Sequence, residues 1–231
     1  ASTWHPLLLS LWVAAMATGA SLILGVAIGA LLARRRFPGR ELLDALLCLP
    51  LTLPPTVLGY YLLVLLGRRS GLGQLVEEVI GTPLTFTPAA AVVAAMVHGV
   101  PSLIKASRAA LEEVDPVYLR AAASLGAGEL RRLLTVALPL SRRQLLSATM
   151  LAFARALGDF GVTLMIAGDI PGYTQTAALA IYDATQGGHE ARALGLVAAL
   201  SAMALSILYA VNRLATSQRG QGTAAGPDGG R

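Results

Sequence analysis

The chain has 231 residues, 55% of them hydrophobic and only 13% charged, with a mean hydropathy of +0.64. A soluble domain carries about 25% charged residues, so an ordinary soluble domain is excluded and a membrane protein is indicated. The net charge of +5 does not signal nucleic acid, because the basic residues lie between apolar runs and form no free-standing patch.

A helix needs about 20 apolar residues to cross the hydrocarbon core. Residues 7–33 hold no Asp, Glu, Lys or Arg and end at Arg34-Arg35-Arg36. The run exceeds the roughly 7–15 residues of a signal-peptide core and reads as a retained span. Within it, Gly25 and Gly29 offer a small-residue packing face, for contact inside the chain rather than for a dimer seam. Residues 45–67 form a second span, in which Pro50, Pro54 and Pro55 interrupt the hydrogen-bond ladder and predict a kink. That kinked helix either bends as a pathway opens or is static and filled by its neighbours. The lone Cys48 lies here and permits no intramolecular disulfide. The third span, 88–104, starts at Pro88; its His98 reads as a hydrogen-bonded packing residue rather than a ligand.

Residues 105–143 make a long connection. Asp115-Pro116 is a helix start, with Asp as N-cap and Pro at the first helical position. The short helix stops at Gly126, suited to a left-handed cap. A second helix follows, with Leu130, Leu133, Leu134, Ala137 and Leu138 as an apolar stripe, closed by Pro139. Such a basic amphipathic element either lies on anionic lipid or docks to a soluble partner. The fourth span, 144–168, contains only Arg155 and Asp159 as charges, four apart and so on one helix face. Charge at that depth costs about 2.5–3.5 kcal/mol and faces the bundle interior or a water-filled cavity. Arg155 either lines the path of an anion or is neutralised by Asp159 in a pair that fixes helix packing. The connection 169–192 contains the apolar stretch 176–184, too short to span, hence a re-entrant or surface helix. The fifth span is 193–212.

The fold class is therefore all-α and polytopic, with a transmembrane domain over 1–216 and a disordered tail over 217–231. Fourteen Lys and Arg residues fall on the side of the 105–143 loop and three on the other. By the positive-inside rule the N-terminus is outside and the C-terminus cytoplasmic.

From Arg120 the chain reads Arg-Ala-Ala-Ala-Ser-Leu-Gly, then nine residues, then Val136-Ala137-Leu138-Pro139. This resembles the Glu-Ala-Ala loop of permease subunits in bacterial ABC importers. Ala121, Ala122, Gly126, Val136, Leu138 and Pro139 match, whereas Arg120 stands where the family usually has Glu. Three further segments resemble the molybdate-type branch, alongside Arg35-Arg36-Phe37-Pro38-Gly39. They are Leu49-Pro50-Leu51-Thr52-Leu53-Pro54-Pro55-Thr56-Val57-Leu58-Gly59, Phe153-Ala154-Arg155-Ala156-Leu157-Gly158-Asp159-Phe160-Gly161 and Ala167-Gly168-Asp169-Ile170-Pro171-Gly172-Tyr173-Thr174-Gln175-Thr176. The resemblance implies a type I ABC importer permease in the bacterial inner membrane, translocating molybdate by alternating access; tungstate or sulfate is the alternative substrate. It also implies a homodimer, two copies of an ATP-binding subunit seated on the 105–143 loops, and a periplasmic or extracellular oxyanion-binding protein.

The chain has no G-x-x-x-x-G-K-[ST] loop, so ATP and Mg are expected on the partner ATPase, with no cofactor on this chain. His189-Glu190 lacks the second His of a zinc helix, since position 193 is Ala, and no metal site is expected. Two readings from other classes are weaker. An intramembrane protease using Asp159 and Asp183 fails because Asp183 lies outside the bilayer in this topology. A stand-alone anion channel leaves the loop spacing unexplained.

Overall fold

Prolines and capping residues decide where most of the apolar runs start and stop as helix, although Pro101 is accommodated in the interior of one of them. The computed structural model describes residues 4–34 and 38–217, so Arg35, Arg36, Phe37 and the predicted tail from 218 onward lie outside the described residues. Every regular element among those described is helical: α1 (Trp4–Arg34), α2 (Arg40–Cys48), α3 (Pro55–Leu66), α4 (Gly71–Ile80), α5 (Pro88–Glu112), α6 (Pro116–Ser124), α7 (Glu129–Arg132), α8 (Leu138–Leu157), α9 (Gly161–Ala167), α10 (Ala177–Gln186) and α11 (Glu190–Ser217).

The centre of the molecule is α1 packed parallel to α5. A Cβ on Gly25 would sit 2.6 Å from the Leu103 Cβ, and one on Gly29 would sit 2.7 Å from the Ser107 Cβ. The glycine pair therefore serves packing within the chain, as its spacing suggested. Val13, Ala17, Ala90, Ala91, Ala94, Ala95, Val162 and Ile166 form the main buried cluster. α5 starts at Pro88, with the Thr87 hydroxyl accepting from the Ala90 N–H at 3.3 Å. It runs on to Glu112, so 105–112 are its last turns and not part of the connection. No proline or glycine falls between Lys105 and Asp115, and Lys105 and Arg108 are held there by Asp44 at 3.6 and 3.0 Å. Arg108 also reaches Glu112 at 3.1 Å, which binds Arg40 at 2.7 Å, tying α2 to α5.

Residues 45–67 do not form one kinked helix. α2 ends in a 3₁₀ turn, Leu49–Leu51, and the axis of Arg40–Leu51 meets that of Pro55–Leu66 at 106°. Three prolines within six residues withhold three N–H donors, and Pro54 takes an extended ψ of 140° before α3 begins. The fourth apolar run is broken as well: Glu129–Leu157 and Gly161–Ala167 meet at 59°. Among the described residues three helices alone are long and apolar enough to cross, and counting each bent pair as one passage gives up to five.

The fourth passage begins far earlier than residue 144. Pro139 does not close the second loop helix but lies in the first turn of α8, after a π-helical turn at Leu133–Ala137. The wider turn relieves the clash and the missing donor that a proline imposes on an α-helix. It also shifts the helical phase, which splits the predicted stripe. Leu133, Ala137 and Leu138 pack with Ala30, Leu111 and Val114, whereas Leu130 and Leu134 are exposed. α8 then runs back along α5, with Ser141 Oγ donating to the Ala110 carbonyl at 2.8 Å. α10 packs one face into the bundle and exposes the other: Leu179 and Ala180 are fully buried and the Ala177 N–H donates to Ser10 Oγ at 2.8 Å, whereas Tyr182, Asp183 and Gln186 are exposed.

Candidate functional site

The two broken helices meet at one place. α3 and α9 lie side by side, with a Cβ on Gly59 falling 2.6 Å from the Met165 Cβ and one on Gly161 falling 2.8 Å from the Pro55 Cβ. Where the breaks face each other, a cavity of about 480 Å³ opens, lined among others by Pro55, Thr56, His98, Arg155, Asp159 and Phe160. That volume is in the range of small-molecule sites. Pro54 caps α3 and Pro55 is its first residue, whereas Pro50 belongs to the preceding 3₁₀ turn. Only Pro55 of the three reaches the cavity.

Arg155 and Asp159 both line this cavity, yet they are not a pair. α8 stops at Leu157, so Asp159 lies beyond the Gly158 cap and shares no helix face with Arg155. Its Oδ2 accepts from the Thr163 N–H at 3.2 Å and from Thr163 Oγ1 at 2.5 Å, closing the first turn of α9. The Arg155 guanidinium forms neither an ion pair nor a hydrogen bond among the described residues, while the Arg155 carbonyl accepts from the Gly158 N–H at 3.2 Å, so the neutralised-pair reading finds no ion pair here. His98 also departs from expectation. Its ring takes part in no hydrogen bond among the described residues and lines the cavity, while its carbonyl accepts from Ser102 Oγ at 2.8 Å. A polar His98-Gly99-xx-Ser102 face inside an apolar helix was the legible signal.

At the other end of α5 stands the elbow. Asp115 Oδ1 accepts from the Val117 N–H at 2.8 Å and starts α6. Gly126 adopts φ 80°, and the chain reverses through Gly126 N–H to Ala123 O and Ala127 N–H to Ala122 O, both 3.0 Å. This doubly hydrogen-bonded C-cap needs a left-handed residue. Arg120 and Ala121 are exposed and Ala122 half-buried on α6. Val136 and Leu138 are half-buried, and Pro139 is exposed, at the π turn. The sequence reading missed the large apolar side chains displayed here: Leu125 is 87% exposed, and Val117, Tyr118 and Leu130 are exposed as well. An apolar residue directly before the left-handed glycine was the available clue.

The segment beginning at Asp169 is closed by Thr174, which is fully buried. Its hydroxyl donates to the Gly168 carbonyl and accepts from the Ile170 N–H, both at 3.1 Å. Phe160 stacks at 5.0 Å on Tyr182 of α10, joining this segment to the α8–α9 break. Burial pushes the Asp169 carboxyl above its ordinary range, and the charge of Asp183 adds to the shift. A wider cleft of about 960 Å³ at the end away from the elbow is lined by Arg68, Arg69, Thr82, Phe86 and Tyr173.

Residues 25–218 match the family described as the binding-protein-dependent transport system inner membrane component. The chain is 42% identical to the molybdenum transport system permease protein ModB of Escherichia coli K12, covering 89% of this chain and 90% of that one. It is 37% identical to ModB of Haemophilus influenzae over 94% and 96% of the two chains. To the sulfate transport system permease protein CysT of Salmonella typhimurium it is 33% identical over 90% of this chain and 73% of that one. Among solved structures, a chain of the MetNI methionine ABC transporter in inward-facing conformations superposes with a TM-score of 0.69 at 17% identity, covering 93% of each chain. A chain of a bacterial alginate importer superposes at 0.77 and 12% identity, over 94% of this chain and 80% of that one. With up to five helical passages among the described residues, two of them broken around one cavity, the chain belongs to the family of binding-protein-dependent inner membrane components, as a multi-pass, molybdate-type ABC permease of type I importer fold.

Proposed function

We propose that this chain moves molybdate through the inner membrane as the permease half of an ATP-driven importer, working by alternating access. The observation that carries the reading is the unpaired Arg155 in a cavity between two broken helices. Irregular backbone at membrane depth is tolerated where it lines a cavity, and discontinuous helices build substrate passages in transporters. The choice of molybdate is supported by the identity to molybdenum permeases.

In this reading the elbow end faces the cytoplasm, the N-terminus lies outside, and two chains pair as a homodimer. Two copies of an ATP-binding subunit receive α6, with Ala121 and Ala122 permitting close approach, Gly126 fixing the elbow, and Val117, Tyr118 and Leu125 filling the partner's groove. Arg120 replaces the acidic residue common in the family and so reverses the charge presented there. ATP and Mg reside on that partner. Because Val136, Leu138 and Pro139 lie on the continuous path from elbow to α8, a shift of α6 reaches the α8–α9 break through one rigid helix. A periplasmic oxyanion-binding protein docks on 169–190, and the cleft bearing Arg68 and Arg69 draws the released anion inward. Pro50, Pro54 and Pro55 provide the joint about which α3 tilts as the passage opens.

The test is ATP hydrolysis by the lipid-reconstituted complex, with the binding protein empty or loaded with molybdate, tungstate or sulfate. Stimulation by molybdate and tungstate is expected. Stimulation by sulfate alone would move the chain to sulfate transport, and failure of any ATP-binding subunit to assemble with it would overturn the importer reading.

A further inference from the structure

The cavity has more chemistry than one cation, and that chemistry has a definite balance. Its wall carries a guanidinium (Arg155) and an imidazole (His98) that form no side-chain hydrogen bond among the described residues, an exposed hydroxyl (Thr56) and a carboxylate (Asp159). Ser102 also faces it, but its proton is already given to the His98 carbonyl at 2.8 Å. Asp159 is fixed by Thr163 through Oδ2, so its charge stays in the wall and does not swing to Arg155. A cation held apart from a carboxylate in one small space exerts attraction and repulsion on the same visiting anion.

We propose that this cavity is a deliberately weak seat for a tetrahedral dianionic oxyanion, in which Arg155, His98 and Thr56 donate hydrogen bonds and Asp159 limits the affinity. The inference rests on the permease reading and adds to it a defined stopping point within the membrane. Arg155 supplies a forked, always-charged donor suited to two oxygens of one anion. His98 lies on α5 and Thr56 at the start of α3, so donors come from three different elements. A relative movement of α3 and α8 therefore dismantles the shell, which couples release to opening. Asp159 solves the opposite difficulty: a site with cations alone would trap the dianion and stall transport.

Cys48 is the only cysteine and is buried, which makes the cavity open to thiol mapping. In the assembled complex carrying Cys48→Ala and Ser102→Cys, the rate of alkylation by a small water-soluble thiol reagent is measured against added molybdate, tungstate or sulfate. All three are expected to slow alkylation, whereas chloride at matched ionic strength does not. Arg155→Gln and His98→Leu should each raise the protecting concentration about tenfold, the scale of one lost charge-assisted hydrogen bond. His98→Gln, which keeps an N–H donor, should retain most of the protection. Asp159→Asn still accepts from Thr163 and should lower the protecting concentration about tenfold. Ala156→Cys, at a second position in the wall, replaces Ser102→Cys if that variant fails to assemble.

Alkylation indifferent to every oxyanion at both positions, equal protection by chloride, or a midpoint unchanged by His98→Leu would overturn the seat. ATP hydrolysis stimulated by loaded binding protein is read in the same preparations. Normal stimulation without protection removes the seat and leaves the permease reading, while absence of stimulation and assembly removes the permease reading itself.

Discussion

Gly126 is the residue on which the elbow turns. Its φ of 80° is ordinary for glycine and costs about 1–2 kcal/mol for a residue with a Cβ. Space is not the obstacle, since nothing lies within 4 Å of a Cβ placed there. Gly126→Val should therefore leave insertion and helix content intact while misdirecting α6, so that ATP hydrolysis persists and uptake falls about tenfold or more. Gly128 is the control, with φ −65° and open space around it, and Gly128→Ala should transport normally. Uptake by Gly126→Val equal to that of Gly128→Ala would show that the elbow angle does not matter.

Asp169 gives a prediction of a different kind. Its folded-state pKa is raised, chiefly by burial and further by the charge of Asp183, with the Gln175 side chain pulling the other way. The fold therefore favours the protonated acid, and the associated stability is present at low pH and lost as pH rises from the unfolded value near 3.8 through the folded one. Asp169→Asn should raise the melting temperature at pH 7, and the gain should shrink toward pH 4. An equal gain at both values would contradict the assignment of the shift to the charged form.

At the scale of elements, the sequence disclosed apolar runs more reliably than it disclosed where they stop. The start of α5 at Pro88, the Asp115-Pro116 cap and the left-handed Gly126 were legible because each depends on one or two neighbouring residues. The 106° turn at Pro50–Pro55 was visible only as a kink, since how far a proline cluster bends depends on what packs into the bend. Here that is α9, brought to α3 across Gly59 and Gly161. The break after Leu157 was hidden, because Gly158 and Asp159 read equally well inside an apolar helix. The same uncertainty left the pairing of Arg155 with Asp159 open as one of two readings and hid the place of His98 in the cavity wall, whose neighbours are far apart in the chain. The α1–α5 seam was readable from Gly25 and Gly29 and offers a direct check. Gly29→Leu must displace Ser107 and the backbone of Arg108, and should destabilise by about 1–3 kcal/mol. Gly19→Leu on the same helix meets nothing within 4 Å and should leave the melting temperature unchanged.

Across the whole molecule, two sites at opposite ends of a rigid path explain the architecture. α8 begins at the π turn beside the elbow and ends at the cavity, so one 20-residue helix, roughly 30 Å long, connects them. The paired breaks leave α3 and α9 as short pieces beside the cavity, with Leu58 of α3 and Val162 and Ile166 of α9 buried against the α1–α5 core. In the proposed cycle, energy enters at α6 and the anion passes beside Arg155, with no ATP chemistry on this chain. A free-running channel with the same cavity would need no energy input, and transport against a gradient separates the two. The decisive measurement is accumulation of labelled molybdate by proteoliposomes holding this chain, its ATP-binding subunit and the binding protein, with or without ATP on the nucleotide-binding side. Accumulation above the external concentration only when ATP is present is the predicted result. Equilibration at the same rate without ATP would contradict it.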